Sequence, residues 1–155
     1  MTAADERHLV SVRFDERSHE WRIVASRSKW PALVEEILTP PPADCPQWVL
    51  GLRTVAVGTS ADPSEGKTLF LVSVGPGVAA AYYRDMPDGA AHGWVTHNPH
   101  PLVDAPELAF SSQGWNTFPS KAVLHTDEVR PAISEFLTTG RRPECIEWQQ
   151  SEWIQ

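Results

Sequence analysis

Cysteine is scarce in this sequence: Cys45 and Cys145 are the only two among 155 residues. They form no CxxC pair and no zinc-finger spacing, so a metal clip or thiol redox motif is not written here. Both are read as small buried apolar residues of a reducing compartment rather than as a disulfide. Long apolar runs are missing too. Nothing approaches the roughly 18 consecutive apolar residues of a membrane-spanning helix. The N-terminal MTAADERHLV lacks the apolar core of a secretory signal, and a cytoplasmic location is the expectation. Positive charge is in deficit, with 13 Lys and Arg against 20 Asp and Glu and a net charge of −7. That disfavours direct nucleic-acid binding, which needs a basic footprint against phosphate. It suits a basic protein partner, because opposite fields steer encounter.

Familiar catalytic motifs are absent as well. No G-x-S-x-G supports a serine nucleophile. Cys45, between Asp44 and Pro46, has no cationic neighbour to depress its pKa. Ser64-Glu65-Gly66-Lys67-Thr68 ends like a phosphate-binding loop, but Ala61 stands where the first Gly belongs. A β-branched strand pattern, not a helix N-terminus, follows it. No enzymatic activity and no cofactor are expected.

What is present reads as one α+β domain over residues 1–155, with a largely antiparallel sheet and two main helices packed on it. His8–Phe14 and Glu20–Ser26 alternate apolar and polar residues and suggest a hairpin. Trp30, Leu33, Val34, Ile37 and Leu38 repeat at i, i+3, i+4, i+7 and i+8, one face of a helix opened by Ser28. The proline-rich 39–46 ends it. Strands are expected at Trp48–Gly58, Thr68–Val74 and Val78–Arg84. A polar turn over Thr59–Lys67 separates the first two, and Gly75-Pro76-Gly77 joins the last two tightly. A loop-like 85–106 holds one short strand near Gly93–Thr96, and Glu107–Ser112 and Trp115–Phe118 are further short-strand candidates. Val129, Ala132, Ile133, Phe136 and Leu137 mark a second helix with Thr126 as N-cap, Asp127 and Glu128 in its first turn, Pro131 disturbing its start and Gly140 stopping it. Cys145, Ile146 and Trp148 then read as a closing strand.

The last third carries a resemblance. An FP pair, a V-R-x-A-hydrophobic-x-x-F-L helix, then Gly, Arg-Pro, Cys, a β-branched residue and Trp resembles the C-terminal signature of immunity protein family one of bacterial polymorphic toxin systems. Phe118, Pro119, Val129, Arg130, Ala132, Ile133, Phe136, Leu137, Gly140, Arg142, Pro143, Cys145, Ile146 and Trp148 supply it here. Before that third, the strand, glycine turn and aromatic-bearing strand resemble the family in layout. The resemblance implies a cognate protein toxin as partner, bound stoichiometrically. A nucleic-acid deaminase or nuclease is among the toxins implied, and any zinc would belong to that toxin. It assigns no interface residues, and without a long apolar run no membrane partner is expected.

For the partner surface, the residues themselves point to acidic side chains around an aromatic in the long loop: Asp85, Asp88, Trp94, Asp104 and Glu107. A second reading stays open. His92, His97 and His100 fall within one short stretch, and neutral imidazole is a common metal ligand, so a small metal- or ligand-binding domain using this loop is the alternative.

Overall fold

The computed structural model of the chain describes residues 6–14, 22–24, 27–39, 47–56, 69–85, 90–108, 110 and 117–151; for 6–14, 22–24 and 47–56 only the backbone path is described. Among these residues the strands are β1 (Glu6–Phe14), β2 (Arg22–Val24), β3 (Gln47–Ala56), β4 (Leu69–Gly75), β5 (Val78–Asp85), β6 (His92–Thr96), β7 (Leu124–His125) and β8 (Trp148–Gln150), with helices α1 (Trp30–Leu38) and α2 (Thr126–Thr139). The strands form one sheet in the order β2-β1-β3-β4-β5-β6-β8, with β7 on β5 off this path. Every pairing is antiparallel. The expected α+β class with two helices is what the chain adopts.

The centre of the sheet follows from its least alternating sequences. β4 and β5 read LFLVSVG and VAAAYYRD and are buried along nearly their whole length, the mark of strands covered on both faces. One face carries Phe70, Val72, Val74, Ala79, Ala81 and Tyr83 and packs against the apolar stripes of both helices. The other carries Leu71, Val78, Ala80 and Tyr82 and is covered by Leu108, Phe110, Phe118, Ala122 and Val123. Phe118 of the FP pair therefore plugs the second core. From Pro119 the chain makes a 3₁₀ turn over Ser120–Ala122, closed by Ala122 N–H on the Pro119 carbonyl at 2.8 Å.

β5 has more edge than β6 alone can cover. Its C-terminal half pairs with β6 and its first two residues with β7. Between the two ladders stands Thr96, fully buried. Its hydroxyl accepts the Ala81 N–H at 3.2 Å and donates to the Ala122 carbonyl at 2.6 Å. Asn98 continues the seam by donating its amide to the Val123 carbonyl at 3.0 Å. Buried polar side chains here stand in for missing backbone partners.

Several expected boundaries move. α1 begins at Trp30 after a 3₁₀ turn over Arg27–Lys29, so Ser28 lies in that turn and Lys29 holds the cap position. α2 begins at Thr126 itself with His125 as its cap residue. The Thr126 N–H is taken by the Gly77 carbonyl at 3.1 Å, which ties the helix start to the β4–β5 turn and satisfies one of the helix's first four N–H groups. Gly77 supplies the positive φ (74°) of that turn, a conformation open to glycine at no steric cost. Pro131 sits inside α2 on its exposed side, where it offers no N–H to the Asp127 carbonyl. Gly140 ends the helix in the left-handed region (φ 69°), with its N–H on the Phe136 carbonyl at 2.8 Å, as the spacing predicts.

The closing strand is shorter and later than expected. It is Trp148–Gln150, and Cys145 lies before it in a bend and is exposed, not buried. The reason is geometric: the chain leaves α2 above the sheet and must cross to the outer side of β6 before pairing can begin. Glu107 and Leu108 form no ladder, and Thr117 makes only an isolated bridge. Cys45, Asp88 and the Thr59–Lys67 turn lie outside the described residues.

Candidate functional site

The site grows from strand register. Tyr83 stands opposite Trp94, and Trp94 opposite Gln150, so three side chains line up across β5, β6 and β8 on the helix-bearing face. Asp85 follows two residues after Tyr83 on that face, and Trp148 precedes Gln150 by two on the same side. These strands extend beyond the end of α2. The chain past Gly140 folds down over them and leaves a hollow of about 660 Å³ lined by Tyr83, Asp85, Trp94, Arg141, Arg142, Pro143, Glu144, Ile146, Trp148 and Gln150.

The signature residues build this overhang. The Trp148 indole N–H donates to the Pro143 carbonyl at 2.7 Å, and its ring meets Phe70 edge-on at 6.3 Å and Tyr83 at 6.4 Å. Pro143 is buried. Glu135, on the last turns of α2, accepts the Glu144 N–H. The Arg142 guanidinium lies 4.7 Å above the Trp94 ring centre, within cation–π range. Tyr83 and His92 flank the same ring at 6.0 and 6.2 Å. Trp94 is therefore half-buried beneath a cation, not a bare aromatic ringed by carboxylates.

Asp85 is the acidic member of the hollow. One carboxylate oxygen accepts a long hydrogen bond from the Tyr83 hydroxyl at 3.4 Å, and the other, Oδ1, is buried with no hydrogen-bond partner among the described residues. Such an acceptor is costly unless something completes it. Asp85 and Trp94 thus come together with Arg142, Pro143 and Trp148. Asp104 and Glu107 do not join them. Both are exposed on the segment whose Leu102, Ala105 and Leu108 cover the opposite face of the sheet, and Asp104 adopts a positive φ of 57°. Of the residues sequence reasoning left out, Tyr83 was signalled by its place on β5; Arg141, Glu144 and Gln150 carried no signal of their own.

Across the ridge of residues 143–147 lies a second hollow of about 540 Å³, lined by His97, His100, His125, Glu128, Cys145 and Glu147 among others. His92 is not part of it, being stacked on Trp94. The three loop histidines therefore do not converge, and among the described residues no cluster of three or more His, Cys, Asp or Glu is placed to hold a metal ion.

Cys145 stands exposed on the ridge, yet partial burial of its thiol and then the neighbouring Glu135 carboxylate push its pKa up. The thiol is kept in its unreactive protonated form. Alkylation of Cys145, followed by peptide mapping, is expected to be slower at neutral pH than for an unstructured cysteine. Glu135→Gln is expected to accelerate it. The sign for stability is that of a raised pKa: this contribution is full below the ordinary thiol value and is lost as pH climbs from there through the raised value of the folded chain. An alkylation rate unchanged by Glu135→Gln would sink this account.

An open hollow walled by Tyr, two Trp and Arg, with charges of both signs, has the makings of a recognition surface on an α+β scaffold. Residues 19–150 match the family model described as Immunity protein Imm1, and the chain belongs to that family. No curated protein matches the sequence. The match spans most of the chain, so the kinship reaches well beyond the C-terminal signature that suggests it. No helix among the described residues is long and apolar enough to cross a membrane.

Proposed function

We propose that this protein binds one cognate polymorphic toxin domain and neutralises it by stoichiometric contact in the bacterial cytoplasm, without catalysis or cofactor. Membership of an immunity protein family is the observation that carries the reading. The surplus of carboxylates, 20 against 13 basic residues, agrees with a basic partner such as a nucleic-acid deaminase or nuclease. The contact surface centres on the hollow of Asp85, Trp94, Arg142 and Trp148 and on the ridge beside it, where Glu144 and Glu147 are exposed. A rigid aromatic centre supplies affinity while rim charges select the partner. Asp104 and Glu107, on the far face, lie outside that centre.

The test is co-expression with the toxin domain encoded beside it. A 1:1 complex on size-exclusion chromatography and rescue of growth are expected. Two folded proteins that elute separately, with no rescue, would overturn the proposal. Metal analysis of the purified chain addresses the alternative use of the His92–His100 loop, which the separation of His92 from the other two histidines disfavours.

A further inference from the structure

We infer that Arg142, its guanidinium held over the Trp94 ring, is the anchor of the toxin interface and that its ligand is a carboxylate side chain on the toxin; this rests on the toxin-binding reading above. Three observations meet in one hollow. The Arg142 guanidinium lies 4.7 Å over the Trp94 ring centre, and Arg142 makes no hydrogen bond or ion pair with any described residue. Its donors are thus held at the ring and unmatched by any described residue. Asp85 lines the same hollow with a buried oxygen that takes no hydrogen bond from any described residue. An acid and a base sharing one small hollow ordinarily pair with each other, and here they do not.

Chemistry selects the ligand. Contact with the ring restrains the guanidinium before binding, so little further side-chain entropy is lost when it takes a ligand. A fork of parallel N–H donors matches the two oxygens of a carboxylate, and a bidentate pair is among the stronger polar contacts. The arm that presents Arg142 is itself held. Gly140 turns the chain off α2, Pro143 is pinned by the Trp148 indole, and Glu135 takes the Glu144 N–H. Trp and Arg at a desolvated interface centre are the side chains that most often dominate binding. In a hollow lined by Arg141 and Arg142 on one side and Asp85 and Glu144 on the other, a cation held in place also sets register, because a misaligned toxin would bury it unpaired. Asp85 then offers its unmatched oxygen to a donor beside the incoming carboxylate.

The experiment is calorimetric titration of the full-length chain with the toxin domain encoded next to it, under conditions where the unaltered pair binds. Arg142→Ala is expected to weaken affinity by about thirtyfold or more. Arg142→Lys, which keeps the charge but loses the fork, is expected to weaken it by about tenfold. Arg130→Ala, on the outer surface of the helix pair, serves as the unaffected control, and thermal melts verify that each variant is folded. Charge exchange completes the test: Arg142→Glu should regain affinity against a toxin whose facing Asp or Glu is changed to Arg. Arg142→Ala within about twofold of the parent would overturn the inference while leaving the toxin-binding reading intact. Full affinity in Arg142→Lys would overturn the fork. Absence of any complex with the unaltered chain would overturn both readings together.

Discussion

Phe136→Ala is expected to cost about 3–5 kcal/mol of folding stability, the range for removing a fully buried aromatic ring. Phe136 has no exposed surface. It stacks on Phe70 at 4.6 Å and 21° and meets Tyr83 edge-on at 6.3 Å. The ring is thus the joint between α2 and the two central strands. Truncation leaves a cavity that close-packed neighbours fill only in part. Small domains hold roughly 5–15 kcal/mol in total, so the loss is a large share of what keeps this chain folded. Urea titration should show a lower midpoint with an unchanged slope. Because Tyr83 is also a wall of the hollow, toxin affinity should fall at temperatures where the variant is still folded. Phe136→Leu, closer in volume, should lose about 1.5 kcal/mol or less. A loss below about 1 kcal/mol for the alanine variant would show that α2 is not seated through this ring.

Thr96→Val should destabilise by about 2–4 kcal/mol although the side chain keeps its shape. The valine methyl can neither accept the Ala81 N–H nor donate to the Ala122 carbonyl, the two partners of the Thr96 hydroxyl. Both groups would be left without a partner where water does not reach, since Thr96 is wholly buried. The change strikes the seam where β5 passes from β6 to β7. A local readout separates this from general loosening: hydrogen exchange at the Ala81 amide should accelerate more than at amides of the β4–β5 ladder. Thr96→Ser, which keeps the hydroxyl, should cost only about 1 kcal/mol. An Ala81 amide as protected in Thr96→Val as in the parent would disprove the bridging role.

Exposed ion pairs matter less to this ledger. Arg130 joins Glu35 of α1 at 2.7 Å and Asp127 of its own helix at 2.5 Å. It cross-links the helices on their solvent side, but exposed pairs contribute little because water competes for both charges. Orientation of the helices comes instead from Trp30, Leu33, Val34, Ile37 and Leu38 meeting Val129, Ile133, Phe136 and Leu137 over one face of the sheet.

Both helices and the two central strands were legible in the sequence because local rules govern them. The stripes of α1 and α2 recur at helical spacing, and the same residues are the buried ones. Gly140 stops α2 because the turn requires a left-handed residue, and that demand is met within a few positions of chain. The start of α2 was less legible, since it depends on distant backbone: the Gly77 carbonyl takes the N–H at which the helix begins. Cys145 was misread as buried because its neighbours alternate like a strand, whereas its exposure is set by the crossing from α2 to the β6 edge.

The candidate site divides the same way. Asp85 and Trp94 could be singled out as an acid and an aromatic in one loop region, yet nothing in their spacing says that Arg142 would cover the tryptophan. That contact joins residues far apart in sequence and exists only because β8 pairs with β6 in the register that sets Gln150 beside Trp94. Residue order by itself determined the class of fold, the helix stripes and the family, since periodicity and signature spacing are properties of neighbours along the chain. Tertiary structure alone decided which charges share a hollow, which aromatic is sheltered and which polar groups remain unmatched, because these depend on strand register and on the path a connecting loop must take between layers.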